Sequence, residues 1–286
     1  MILFENRAAT VLYNVLKKIK NKKFLLPLNV CPIVPDTFVK AGMKFEFVDI
    51  NLDTLCMDKD LILKKIKNDR SIDGILFVKT FGIDLNTETL FKEIKIMNSD
   101  IFIIDDMCPS IQKFDYNIHD SYADMALFSS GYSKYVDIGY GGYAYLKEEE
   151  FQNIFINQID DKSFLKYKEK VLEQIRLMKN QKKELNTIYK NNIPKKYHLG
   201  DKYNNWRFSI LVQNKEEILK AISKIDGLFA SSHYPQVDLD YVTVPMKNSN
   251  VDKIHKEIIN LFNDFRFSKE KAWRVVEIIN EKLKEN

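Results

Sequence analysis

Short, almost unbroken apolar runs recur through the first half of the chain, each separated from the next by a helix-like or turn segment. They are "KFLLP" (23–27), "KFEFVDI" (44–50), "GILFVKTF" (74–81), "IFIIDD" (101–106), "DMALFSS" (124–130) and "GGYAYLK" (141–147). Each is too short for a helix of ordinary length and rich in Phe, Ile, Val, Leu or Tyr, which favours strands. The segment "RAATVLYNVLKKIK" (7–20) precedes the first run, and periodic stretches near 33–41, 58–67 and 86–98 predict helices between the next ones. Strands that lack polar alternation are covered on both faces, and intervening helices supply the crossovers of a parallel sheet. The expected class is therefore α/β with a mostly parallel sheet flanked by helices. Such sheets bind ligands beyond the carboxyl ends of their strands.

After residue 147 the pattern changes. From Glu148 to about Lys190 the sequence is polar and helical, and "LGDKYNNW" (199–206) reads as a hinge-like stretch. A strand-like "WRFSILV", a helix "KEEILKAISKI", a turn at Gly227 and helices near 251–262 and 268–284 follow, the last opening on Ser268 as a good N-cap. We expect a large α/β domain over 1–150, a helical connector over 151–200 and a smaller C-terminal α+β domain over 201–286.

Charge excludes little by itself but narrows the partners. The 44 basic and 40 acidic residues give a net charge of +4, too balanced to argue for nucleic acid. Three cysteines and four histidines, with no metal-like spacing, argue against a disulfide framework and against a metal site. No stretch approaches the apolar length of a membrane span and no secretory leader pattern opens the chain, so a cytoplasmic protein is expected.

Two stretches carry candidate chemistry. "IFIIDDMCPS" ends a strand in Asp105 and Asp106, whose side chains point to opposite sides. Either one holds a cationic nitrogen or a metal, or both are solvated or cap a helix; nothing local decides. "DMALFSSGYSKYVDIGYGG" runs a strand into Ser129, Ser130 and Gly131, then Lys134, then a glycine-bearing turn. Small hydroxyl residues and a glycine at a strand end suit a phosphate oxyanion. A lysine just beyond is either a Schiff-base amine or electrophile partner, or an ordinary surface charge. Arg207, in "NNWRFSI", is a bidentate carboxylate ligand or a partly exposed strand arginine. His233 and Tyr234 pack a small domain or reach a pocket rim.

The order of these features resembles the DegT/StrS-type aminotransferases, pyridoxal-phosphate (PLP) enzymes of fold type I that aminate nucleotide-linked keto sugars. The likeness rests on "LPLNVCPIVPDTFVKAGMKFEFVDINLDTLCMD", "VKTFGID", "IIDDMCPS", "DMALFSSGYSKYVDIGYGG", "SSHYPQ" and "HKEIINLFNDFRFSKEKAWRVVEII", in that order over most of the chain. It implies Lys134 as the Schiff-base lysine, with a lowered pKa, and Asp106 as the partner of the pyridinium nitrogen. It implies Ser129 and the first helix start, Arg7, Ala8 and Ala9, as phosphate ligands. By spacing, Cys31 stands where the family sets an aromatic ring over the cofactor, and Pro109 where it has Gln or His near the cofactor hydroxyl. Tyr140 replaces a glutamate, which with Arg207 and His233 makes it a candidate substrate-binding residue.

The resemblance thus implies a homodimeric, PLP-dependent aminotransferase with shared active sites. The reaction implied moves an amino group from an amino-acid donor, with glutamate as the candidate, to a keto sugar, in surface-polysaccharide or amino-sugar biosynthesis. The reduced stretch between Lys147 and Trp206 and the altered Cys31 and Pro109 leave two alternatives: a PLP-dependent decarboxylase or lyase on a small amino acid, and a non-catalytic paralogue.

Overall fold

The apolar runs pair into one sheet. The structure, a computed structural model, describes residues 1–19, 22–147 and 161–285. Its large sheet contains β1 (Ile2–Glu5), β2 (Lys23–Pro27), β3 (Lys44–Val48), β4 (Ile72–Val78), β5 (Phe102–Asp106), β6 (Met125–Ser129) and β7 (Gly142–Leu146). The spatial order is β1-β7-β6-β5-β4-β2-β3. β2 runs parallel to β3 and β4, β4 to β5, and β5 to β6, while β7 is antiparallel to both β6 and β1. Every residue of β5, β6 and β7 is buried. Successive side chains face opposite sides of a strand, so both faces of the sheet centre are covered. The carboxyl ends of β2, β4, β5 and β6 share one edge.

The helices fall close to where periodicity puts them: α1 (Ala8–Leu16), α2 (Ile33–Ala41), α3 (Lys59–Asn68) and α4 (Glu88–Met97). The expected helix over 7–20 is shorter at its end, and Lys20 lies outside the described residues. Asp58 caps α3 by accepting from the Leu61 amide at 3.0 Å. α2 stops at Gly42, whose φ of 76° lets the Met43 amide turn back to the Phe38 carbonyl at 3.0 Å. α1 packs on β6 and β7 and beside α2, which brings its amino end to the carboxyl edge of the sheet.

Beyond the large sheet, α5 (Asp161–Asn192) is a helix about 48 Å long at 1.5 Å per residue. The expected polar helical stretch from Glu148 thus begins, as far as it is described, at Asp161. A second sheet, β8 (Phe208–Leu211), β9 (Ala230–Ser231) and β10 (Ile258–Leu261), is antiparallel with order β8-β10-β9. α6 (Lys215–Ser223), α7 (Asn250–Glu257) and α8 (Lys269–Lys284) complete the C-terminal part. Ser268 caps α8 as expected, accepting from the Lys271 amide at 3.3 Å.

One reading needs correction. The stretch 251–262 is not one helix: α7 ends at Glu257 and the buried run "IINL" continues as β10, the centre of its sheet. A continuous apolar run fits a strand covered on both faces, and that override of helical periodicity is tertiary. The opening "ILFE" is also a strand, paired with β7 so that Ile2 faces Tyr145 and Glu5 faces Gly142.

The buried side chains form two clusters. One surrounds the large sheet and includes Tyr167, Val171 and Met178 of α5. The other lies under the small sheet and α8 and includes Leu185 and Tyr189 of the same helix. Among the described residues no helix is long and apolar enough to cross a membrane, and no cluster of His, Cys, Asp and Glu could hold a metal ion.

Candidate active site

β5 delivers two carboxylates to opposite environments. Asp105 meets Lys79, Oδ2 to Nζ 3.2 Å, with both groups largely out of water. Burial pushes Asp105 up to about 6, with Lys79 pulling the other way, and its Oδ1 has no protein partner. Asp106 turns the other way, into a cavity at the carboxyl edge of the sheet. Its Oδ1 accepts from the Cys108 amide at 2.9 Å. Burial raises its pKa, while that hydrogen bond and the nearby Lys134 charge favour the anion.

β6 leads into the loop that carries Lys134. The loop is closed on itself: the Ile138 amide donates to the Ser130 carbonyl at 3.0 Å, and the Ser130 amide to the Gly141 carbonyl at 3.0 Å. Asp137 accepts from the Ser133 and Gly139 amides at 2.9 and 3.0 Å. Ser133 is held at φ 59°, a left-handed conformation unusual for serine, and its carbonyl accepts from the Trp206 indole N–H. Lys134 itself lines the cavity. The lowered pKa that the resemblance implies is not what the chain alone produces. Burial does act downward, but Cys108, Tyr234, Asp106 and Cys31 act upward and leave Lys134 above the ordinary lysine value. A downward shift requires a positive charge brought into the cavity with a ligand.

Across the cavity, α1 begins at Ala8 with Arg7 in extended conformation before it. The Thr10 and Val11 amides close on the Arg7 carbonyl at 3.0 and 3.2 Å. The Ala8 and Ala9 amides precede the first helical hydrogen bonds and stand free of intrahelical partners. No acidic side chain occupies the first turn. Ser129 Oγ and Arg7 Nη1 converge on Gly131: a Cβ placed there would lie 3.6 and 4.0 Å from them. Glycine leaves that space open. The Gly131 amide also donates to Ser129 Oγ at 3.3 Å, and the Arg7 guanidinium sits 5.2 Å from the Tyr132 ring centre. A hydroxyl, a guanidinium and a helix start around one gap form an anion cradle.

The cavity holds about 220 Å³. It brings together Lys134, Asp106, Ser129, Arg7, Ala8, Ala9, Cys31 and Pro109, all expected from the sequence. Cys31 is exposed at its mouth, and the Pro109 side chain can neither donate nor accept a hydrogen bond there. Three expected residues do not line it. Tyr140 is exposed beside Tyr167, under the Lys170 ammonium. Arg207 is buried, its guanidinium 3.7 Å from the Phe262 ring centre and 4.2 Å from that of Trp206, and it donates to Ser231 Oγ. His233 stands edge-on to Trp206 at 5.7 Å.

The cavity is also lined by Tyr234, which the sequence allowed at a pocket rim, and by Asn29, which it did not single out. Tyr234 enters from the C-terminal part, stacked on Trp206 at 5.8 Å, and burial pushes its hydroxyl up to about 12. Asn29, just past β2, is buried; its Nδ2 donates to the Leu55 carbonyl at 2.8 Å, which fixes the amide orientation and leaves Oδ1 without a protein partner. Only the turn after "KFLLP" hinted at Asn29, and only the "HY" pair at Tyr234.

No protein-family profile matches the chain, and no curated protein matches it in sequence. Solved structures do match its fold. The PMP form of Spr1654 from Streptococcus pneumoniae, assigned as a sugar aminotransferase, superposes with a TM-score of 0.81 at 16% identity, over 99% of this chain and 88% of that one. PseC of Helicobacter pylori, an aminotransferase involved in the biosynthesis of pseudoaminic acid, gives 0.77 at 16% identity, over 100% and 87%. The sugar aminotransferase CalS13 from Micromonospora echinospora gives 0.76 at 14% identity, over 98% and 87%. At such identities the likeness is one of fold, and the fold is that of the type I aminotransferases.

Proposed function

We propose that this protein is a PLP-dependent aminotransferase that moves an amino group from an amino-acid donor to a keto sugar.

 A nucleotide-linked keto sugar is the acceptor this reading takes, and glutamate the donor. The observation that carries it is the meeting of Lys134, Asp106 and the Ser129–Arg7 gap in one cavity at the carboxyl edge of a type I aminotransferase sheet.

The residues fit the cofactor group by group. The open space at Gly131, faced by Ser129 Oγ and Arg7 Nη1 and by the start of α1, suits a phosphate dianion. The buried Asp106 carboxylate suits a protonated ring nitrogen, and Lys134 offers a primary amine to an aldehyde. When bound, PLP supplies an electron sink that stabilises charge at the donor's α-carbon.

The chain's own groups do the rest. Asp106, fixed by the Cys108 amide, would hold the ring nitrogen of the cofactor in its protonated form. Lys134 Nζ, on the cavity wall, would serve as the base and acid that moves the proton accompanying transfer of the amino group. Tyr234 and the apolar side chain of Ile33 narrow the cavity and displace water from it. This reading includes a homodimer with shared active sites, supported by the exposed Ile33 and Tyr132 at the cavity mouth.

The test is spectroscopic. Purified protein takes up PLP, turns yellow, and is labelled at Lys134 when the bound form is reduced with borohydride. Lys134→Ala abolishes both the colour and the label. Protein that stays colourless with excess PLP overturns the proposal.

A further inference from the structure

Lys182 of α5 is a buried lysine with no acidic hydrogen-bonding partner among the described residues. It is 4% exposed. Its Nζ donates to the Trp206 carbonyl at 2.8 Å and to Asn263 Oδ1 at 2.8 Å, and lies 5.1 Å from the centre of the Tyr135 ring. Two oxygens and a π-face thus take its three donors. It sits at the seam of the two hydrophobic clusters: Met178, one turn before it, belongs to the first, and Leu185, just after it, to the second.

These contacts converge on the Lys134 loop from both sides. Tyr135 is the residue after Lys134. Trp206, whose carbonyl Lys182 holds, donates its indole N–H to the carbonyl of Ser133, the residue before Lys134. Ser133 is the one in the left-handed conformation, which persists only where neighbours hold it.

We propose that Lys182 is a positioning residue for Lys134, fixing the segment Ser133–Lys134–Tyr135 through Trp206 on one side and the Tyr135 ring on the other. The inference rests on the reading of Lys134 as the amine that meets the cofactor aldehyde. Asp264 and Arg266 from the segment after β10 and Arg207 just before β8 are the charged groups that act on Lys182. Burial and the two arginines pull it down and Asp264 pulls it up, leaving it at about 7. Its Nζ is held by the Trp206 carbonyl, Asn263 Oδ1 and the Tyr135 ring, and Lys182 is not among the residues that line the cavity.

The experiment follows PLP capture and the pH titration of the bound cofactor's absorbance in wild type, Lys182→Met, Lys182→Arg and Trp206→Phe. Misplacement of a reacting amine by about 1 Å costs on the order of a hundredfold, so capture should slow by ten- to a hundredfold in Lys182→Met and Trp206→Phe. The absorbance pKa should shift with it, and Lys182→Arg should recover part of both. The ratio of PLP to pyridoxal affinity should stay that of wild type, because the phosphate cradle is untouched. Lys182→Met that melts earlier yet captures PLP and titrates as wild type overturns the inference. Should Lys182→Met not fold, unchanged capture in Trp206→Phe does the same. Wild type that binds no PLP overturns the functional reading instead, before any variant is compared.

Discussion

A Cβ built on Gly142 would lie 2.1 Å from the Ala8 amide nitrogen. The first residue of β7 therefore packs directly under the first turn of α1, and only glycine allows it. Gly142→Ala forces the strand and helix apart, and overpacking of this kind costs about 1–3 kcal/mol. Because the helix start is one wall of the anion cradle, PLP affinity should fall along with thermal stability. Calorimetric melting and a PLP titration on the same protein check this. A variant with lower melting temperature and unchanged PLP affinity would show that the helix start is not a phosphate ligand.

Arg7 and Ser129 face the same open space from different elements. A charge-assisted hydrogen bond contributes about 1.5–3 kcal/mol, so Arg7→Ala and Ser129→Ala should each weaken PLP binding by roughly ten- to a hundredfold. Pyridoxal, which lacks the phosphate, is the control. Its affinity should be the same in wild type and both variants, and equal losses for the two ligands would mean general damage to the cavity.

Adjacent carboxylates on β5 should give opposite phenotypes. Asp106→Asn removes the anion that faces the cavity, and turnover should drop on the order of a hundredfold or more with little change in melting. Asp105→Asn removes a carboxylate whose charge burial disfavours even beside Lys79, so its effect should fall on the pH dependence of stability and leave turnover near wild type. The pH dependence has a defined sign. Asp105 is raised to about 6 in the folded chain, so its contribution to stability is fully present below about 4 and is lost as pH rises through about 6. Denaturant unfolding at several pH values should show that slope in wild type and not in Asp105→Asn.

Much of the large sheet was legible because its strands are buried on both faces, which writes them as unbroken apolar runs. β2 and α2 fall on the residues expected. Asp106 and Ser129 were singled out by the resemblance; both line the cavity as the last residues of β5 and β6, where a parallel sheet places its ligands. β1 was not, since it is an edge strand of four residues with Ile2 exposed. β10 was hidden because "IINL" follows a capped helix with no turn residue between them. The contacts that hold Lys134 come from Trp206 and Lys182, far along the chain, and long-range packing leaves no local pattern. Arg207 shows the same limit: its burial between Trp206 and Phe262 depends on two sheet strands meeting, and its sequence context alone allowed either fate.

His233 should make the protein less stable in mild acid. Burial, then the Arg207, His255 and Lys134 charges, push its ring down to about 4, and its Nδ1 has no protein partner. Between about 6.5 and about 4 the unfolded chain therefore takes up a proton that the folded one refuses, and stability falls as pH falls. Asp105 acts in the opposite sense over part of that range, so the wild-type curve alone cannot separate them. His233→Phe keeps an aromatic ring edge-on to Trp206 and removes the titrating group. Its unfolding free energy relative to wild type should rise steadily from pH 7 to pH 5, as read by denaturant titration. Parallel curves for the two proteins would place the acid sensitivity elsewhere.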